Sequence, residues 1–235
     1  MWRISELTFE GVSSKLAEGV IFNQTAFSSH YGRLFQSVNL IHTIWRMATQ
    51  MAERVCPPWI GYFLLNPLRK LVENPGRIFG PFVKSGMTVL EPGCGMGFFT
   101  LPLARMVGPE GRVIALELQD KMLSVLGRRA EKAGLGDRIE RRRIGPEGYG
   151  LDDVSGQVDF AAAIHMVHEI PDKVLFFNEI WQTLRSGGTL LVVEPKGHVS
   201  GDEFEKTVSV AEKAGFRQAE PSRKPGQRRV VLGKR

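Results

Sequence analysis

Cysteine is scarce in this sequence: Cys56 and Cys94 are the two in 235 residues. That excludes a disulfide-stapled framework, fits a reduced compartment and leaves no cysteine cluster with metal-ligand spacing. Long apolar runs are missing as well. The most hydrophobic stretch, Trp59-Ile60-Gly61-Tyr62-Phe63-Leu64-Leu65, falls short of the ~18 residues that a membrane-spanning helix needs. No charged-then-apolar leader opens the sequence, because Glu6, Glu10, Lys15 and Glu18 interrupt it, so a cytoplasmic protein is expected. A zinc-protease helix is absent too. In His165-Met166-Val167-His168-Glu169 the histidines are three apart rather than four, and they follow a strand, so no metal is expected.

What is present suffices for one α/β domain with an appendage: 43% of residues are hydrophobic, ample for a core at this length. The net charge of +6 is concentrated at one end, where residues 217–235 hold seven basic side chains against one acid, Glu220. A basic tail can attract nucleic acid or anionic lipid, but such termini are more often a solvated edge. Arg141-Arg142-Arg143 is a second basic cluster, and alternation along a strand should divide it between two faces.

The densest signal is Val89-Leu90-Glu91-Pro92-Gly93-Cys94-Gly95-Met96-Gly97-Phe98-Phe99. It reads as a buried strand, a glycine turn and a helix over 98–107 whose free N–H groups point back at the turn. Glycines at alternate positions allow a tight turn and the close approach of a ligand. Cys94 serves there as small filler. About twenty residues on, Arg112-Val113-Ile114-Ala115-Leu116-Glu117 reads as a second strand ending in a carboxylate placed to accept from both hydroxyls of a ribose. A nucleoside-containing cofactor follows. The spacing Gly-x-Gly-x-Gly departs from the dinucleotide pattern. Glu91 would repel a phosphate and suits a cationic group such as an α-amino nitrogen.

The strand, the Glu-x-Gly-x-Gly-x-Gly turn and the distant acid together resemble the class I S-adenosylmethionine-dependent methyltransferases. Residues 89–100 and the later Leu184-Arg185-Ser186-Gly187-Gly188-Thr189-Leu190 are similar to the small-molecule branch that includes the quinone-biosynthesis enzymes. The likeness covers residues 66–235. It implies S-adenosyl-L-methionine as cofactor, with Glu91, Gly93, Cys94, Gly95, Gly97, Glu117, Leu118, Gln119 and Ile164 around it. Leu118 and Gln119 would flank the adenine. The loop after the third strand, 145–153, usually brings a polar side chain to the adenine amine, and here it offers several without designating one.

The resemblance also implies a Rossmann-like, doubly wound, mostly parallel sheet of seven strands with the last one reversed. Strands are expected from Val89 into the glycine turn, at 112–117, 139–144, 158–164, 189–194, near Phe216 and at 229–233. Helices are expected at 66–73, ending before Asn74-Pro75-Gly76, at 120–133 with Asp120 as N-cap, at 172–184 and at 201–214. The turn into the last strand is too short for a crossover helix, so that strand should pair antiparallel to the sixth or insert beside it. Residues 1–65 fall outside this pattern. Leu34, Val38, Ile41, Trp45 and Ala48 recur at helical spacing and predict an amphipathic helix. It would pack over the cofactor cleft or the sheet edge; in the resembling family such helices cap the acceptor pocket, whose wall would include Trp45, Trp59, Tyr62 and Phe63. A partner or membrane-surface helix and an upstream extension of a chain starting near Met51 are the other readings.

Methyl transfer needs alignment and exclusion of water, and a base only where the acceptor must lose a proton. His165 and His168, directly after the fourth strand, are the candidate catalytic residues, with Glu169 to orient one of them. A structural role for each carries equal weight. Glu194, Lys196 and His198 lie at the same rim after the fifth strand. The expected acceptor is a small, hydrophobic molecule, with no obligatory nucleic acid and peripheral membrane contact possible. Two alternatives stand beside it. One is an RNA or protein methyltransferase using the basic tail, against which stands the lack of an Asn-Pro-Pro-Tyr or Asp-Pro-Pro-Tyr tetrad after the fourth strand. The other is a cofactor-binding module without catalysis.

Overall fold

The computed structural model describes residues 73–145, 148–219 and 228–235. The helix expected over 34–51, the aromatic run 59–65, the helix from residue 66, Pro146-Glu147 and most of the basic tail lie outside them.

The described chain opens with α1 (Pro75–Phe79), where a helix end had been expected. Asn74 caps it by accepting from the Arg77 amide, and Pro75 occupies its first turn, where a missing N–H costs nothing. The residues that read as a stop thus make a start. β1 (Thr88–Pro92), α2 (Thr100–Met106), β2 (Arg112–Glu117), α3 (Asp120–Lys132), β3 (Ile139–Arg143), β4 (Val158–Ile164), α4 (Lys173–Thr183), β5 (Leu184–Val193), α5 (Gly201–Lys213), β6 (Arg217–Gln218) and β7 (Arg229–Gly233) follow. The sheet order is β3-β2-β1-β4-β5-β7-β6. Neighbours among β1 to β5 pair in parallel, and β7 inserts between β5 and β6, antiparallel to both. The expected architecture is therefore observed, reversed strand included.

The central strands are apolar on both faces because helices cover both. Side chains alternate between two cores. Leu90, Ile114, Leu116, Ala161, Ala163, Leu190 and Val192 pack with Phe176, Phe177 and Ile180 of α4 and with Phe204 and Val208 of α5. Their neighbours Val89, Val113, Ala115, Phe160, Ala162, Ile164 and Leu191 pack with Phe79, Leu103, Leu123 and Leu126. The Phe160 ring is stacked by Phe82 at 5.5 Å and met edge-on by Phe79 at 6.4 Å. Alternation also divides the basic cluster. Arg142 joins Glu140 and Asp153, whereas Arg143 reaches Asp120 at 3.3 Å.

Three local differences have simple causes. Ser186-Gly187-Gly188 was expected to turn into β5 but forms a bulge inside it, since Val158 pairs with Leu184 and Phe160 with Thr189. Gln119, not Asp120, holds the cap position of α3; Asp120 is its first helical residue. Phe98 and Phe99 are buried in the turn before α2, so that helix starts two residues later than the expected one.

Candidate functional site

The carboxyl ends of β1, β2, β4 and β5 all meet one rim of the sheet, where ligands of open α/β folds bind. At β1 the chain leaves Pro92 through Gly93, Gly95 and Gly97, with φ of 70°, 54° and 82°. These left-handed values are available to glycine without steric cost. A Cβ at Gly93 would approach Met166 at 3.0 Å, and one at Gly97 would meet Leu126 Cδ1 at 2.4 Å. Gly95 differs: its nearest would-be neighbour is Met122 Sδ at 3.9 Å, so its open side faces space that a ligand can use. Gly93 and Gly97 serve packing, Gly95 serves access.

β2 supplies Glu117, 7% exposed. Its Oε1 accepts from the amides of Leu118 (2.8 Å) and Gln119 (3.0 Å), and its Oε2 from Gly95 (3.0 Å). The amide of Cys94 donates to Leu116 O at 3.0 Å. Turn and strand end are thus tied together before any ligand arrives. Burial pushes the Glu117 carboxyl upward, and the three amides pull it back.

Glu91 is the unusual member. It is 3% exposed, and its Oε2 has no hydrogen-bond partner. Burial raises its pKa to about 8, with the Thr100 hydroxyl opposing and the Glu117 charge adding. A buried acid with an orphaned oxygen is costly, and a cation arriving beside it would remove that cost. Cys94 is buried, its thiol pushed up by burial and by both glutamates. Leu118 and Gln119 are half-buried beyond Glu117, and Ile164 is buried at the end of β4. These residues fit a nucleoside carrying a cationic amino end: an open glycine, an acceptor for a sugar diol and an acid lacking a partner.

The histidines fill the other half of the rim. His165 has φ 58°, a strained backbone for a non-glycine residue and one that clusters at functional sites. Its Nδ1 lies 3.3 Å from Glu73 Oε1. His168, in a 3-10 turn over Val167–Glu169, bonds through Nδ1 to Glu194 Oε2. The expected orienting residue, Glu169, stands 3.9 Å from His168 Nε2 instead. Glu194 is buried at the end of β5, where its Oε1 also accepts from the amides of Val167 (2.8 Å) and His168 (3.2 Å). That bond raises the His168 pKa above the ordinary histidine value. The His198 ring meets the His168 ring edge-on at 5.9 Å.

Sequence reasoning placed Glu194 at the rim but missed that it holds His168, and it missed Glu73 altogether. The usable signal was the parallel pairing of β4 with β5, which sets an acid ending one strand beside residues leaving the other. Among the described residues no group of three or more histidine, cysteine or acidic side chains is arranged to hold a metal. No helix there is long and apolar enough to cross a membrane.

A family model described as a methyltransferase domain matches residues 83–223. Over 112 residues the chain is 32% identical to the ubiquinone/menaquinone biosynthesis C-methyltransferase UbiE of Hahella chejuensis, covering 48% of this chain and 44% of that one. It is 28% identical to the demethylmenaquinone methyltransferase of Lactococcus lactis, covering 47% and 42%. The matches thus span less than half the length of these curated relatives. In fold it is similar to an S-adenosylmethionine-dependent methyltransferase of Aquifex aeolicus, with a TM-score of 0.66 at 23% identity over 76% of this chain and 98% of the other. A second structural relative, from Methanococcus maripaludis, gives a TM-score of 0.60 at 17% identity over 75% and 90%.

Proposed function

Because this chain belongs to the methyltransferase-domain family, we propose that it transfers a methyl group from S-adenosylmethionine to a small, hydrophobic, quinone-like acceptor. The observation that carries the cofactor assignment is Glu91, a buried acid whose free oxygen awaits a cation beside an open glycine. When bound, the cofactor supplies a methyl group on a positively charged sulfur that departs as a neutral thioether.

Each residue then has a task. Glu91 receives the α-amino end of the cofactor. Glu117, already fixed by Leu118 and Gln119, accepts from the ribose hydroxyls, and those two side chains flank the adenine. Gly95 lets the backbone come close to the ligand, Gly93 and Gly97 keep the turn packed around it with Cys94 as small filler, and Ile164 closes the floor. His165 and His168 face the acceptor, where the site's work is to align the reacting atoms and to take up an acceptor proton where one must leave. The catalytic domain is assigned to residues 66–235, with 1–65 as a separate N-terminal extension. The quinone-like acceptor rests on the quinone methyltransferases of Hahella chejuensis and Lactococcus lactis that the chain resembles.

Calorimetry tests this directly. S-adenosylmethionine and S-adenosylhomocysteine should bind and NADH should not. Glu117→Ala should weaken binding by ~1.5–3 kcal/mol, the contribution of hydrogen bonds to a charged group, which is roughly 10- to 150-fold. Labelled methyl donor incubated with cell extract should deliver its label to the lipid fraction. Preference for NADH, or label confined to polymer, would refute the assignment.

A further inference from the structure

We propose that Glu194 is the positioning residue of His168: it fixes the ring proton on Nδ1 and leaves Nε2 free to accept a proton at the acceptor site. This rests on the methyltransferase reading of the rim and adds a residue to its chemistry. Glu194 has a buried side chain, 2% exposed, and the hydrogen bonds its carboxylate makes all lie in one turn. Two backbone amides occupy Oε1, and His168 Nδ1 occupies Oε2. A carboxylate held this way only accepts, so the nitrogen facing it must carry the hydrogen. The tautomer follows from the geometry: Glu169 Oε1, 3.9 Å from Nε2, lies beyond hydrogen-bond reach, so the unprotonated nitrogen of the neutral ring is Nε2.

The same bond strengthens the base. An imidazolium formed at His168 would be paired at once with Glu194, so proton uptake is favoured. Four groups face the ring: Glu194 from the end of β5, Glu169 from its own turn, Lys173 from α4 and His198 from the loop after β5. The two acids favour the protonated ring and Lys173 disfavours it, and the net direction is upward. The proton balance is simple: an acceptor O–H or C–H bond breaks, its hydrogen goes to Nε2, and its electron pair stays on the atom that is methylated.

Glu194→Gln separates this role from mere packing. The amide can still accept the two backbone N–H groups through its oxygen, but its nitrogen then donates to Nδ1 and forces the hydrogen onto Nε2. Full-length protein with ¹⁵N-labelled histidine reads both quantities by NMR. Wild type should show the Nδ1–H tautomer and a midpoint above that of an ordinary histidine. In Glu194→Gln the tautomer should invert and the midpoint should fall by at least about one unit, tenfold in proton affinity. S-adenosylhomocysteine affinity should stay within about twofold. Label transfer into lipid extract should drop by ~10²–10⁴-fold, the usual range for loss of a positioned base. An ordinary midpoint or an Nε2–H tautomer in the wild type overturns the proposal even where the variant does not fold. So does a folded variant with unchanged tautomer or rate. Wild type that binds no S-adenosylhomocysteine refutes the methyltransferase reading instead, whatever the His168 ring does.

Discussion

At Glu91, stability and binding make opposite demands. In the unfolded chain this acid ionises near 4.5, in the fold only near 8. A folded pKa raised in an acid means that the native state holds the proton more tightly. Stability is then unaffected below the unfolded value, falls as pH rises from about 4.5 to 8, and levels off above. Glu91→Gln removes that cost. The variant should melt close to wild type at pH 4.5 and several degrees above it at pH 8, since each kcal/mol moves Tm by roughly 2–4 °C in a domain of this size. Its S-adenosylhomocysteine affinity should fall by tenfold or more, because the cation loses its counter-charge. Equal gains in Tm at both pH values would refute the burial argument. A related consequence is proton release. Near pH 7, binding should expel most of one proton, visible as a dependence of the calorimetric enthalpy on the ionisation heat of the buffer. This exchange of stability for function is expected where a site holds an unsatisfied group in readiness.

The glycine turn and the elements it joins divide the same trade between positions. Gly95→Ala meets no atom closer than 3.9 Å, so its cost is the left-handed backbone, ~1–2 kcal/mol; it should fold and lose cofactor affinity. Gly97→Ala drives a Cβ to 2.4 Å from Leu126 and 3.0 Å from Leu101, both buried. It should cost clearly more in a urea melt, and its binding loss should follow its unfolding. A Gly97→Ala variant as stable as Gly95→Ala would contradict this division. The turn and its partner strand were legible in the sequence because both are local: an apolar run, a glycine rhythm and a terminal acid carry their own meaning. β4 was equally plain, since 158–164 is apolar on two faces. α1 was not, because Asn-Pro-Gly suits a helix end and a helix start alike and only tertiary context decides. The Glu194–His168 bond was hidden for another reason. It depends on the register of β4 against β5, a relation between residues 26 apart that no spacing rule reports.

The antiparallel end of the sheet depends on β7. β7 runs between β5 and β6, so it carries β6 and covers what would otherwise be an open edge of β5. Val230 and Leu232 enter the core beside Phe204 and Phe216, Lys234 donates to Leu184 O at 2.7 Å, and its ammonium lies 4.1 Å above the Trp181 ring. This seam also reaches the rim. The Glu194 amide donates to Arg228 O at 2.8 Å, so the residue entering β7 pins the one that holds His168. Two changes to the seam should therefore differ in kind. Leu232→Ala, deep in the core, should lower stability by ~2–5 kcal/mol and leave the His168 midpoint and cofactor affinity alone wherever the protein remains folded. Removing residues 229–235 takes away five backbone pairs with β5 and the only described neighbour of β6, and should abolish cooperative unfolding. A truncated chain that still melts cooperatively and keeps the raised His168 midpoint would show that β5 holds Glu194 without its antiparallel neighbour.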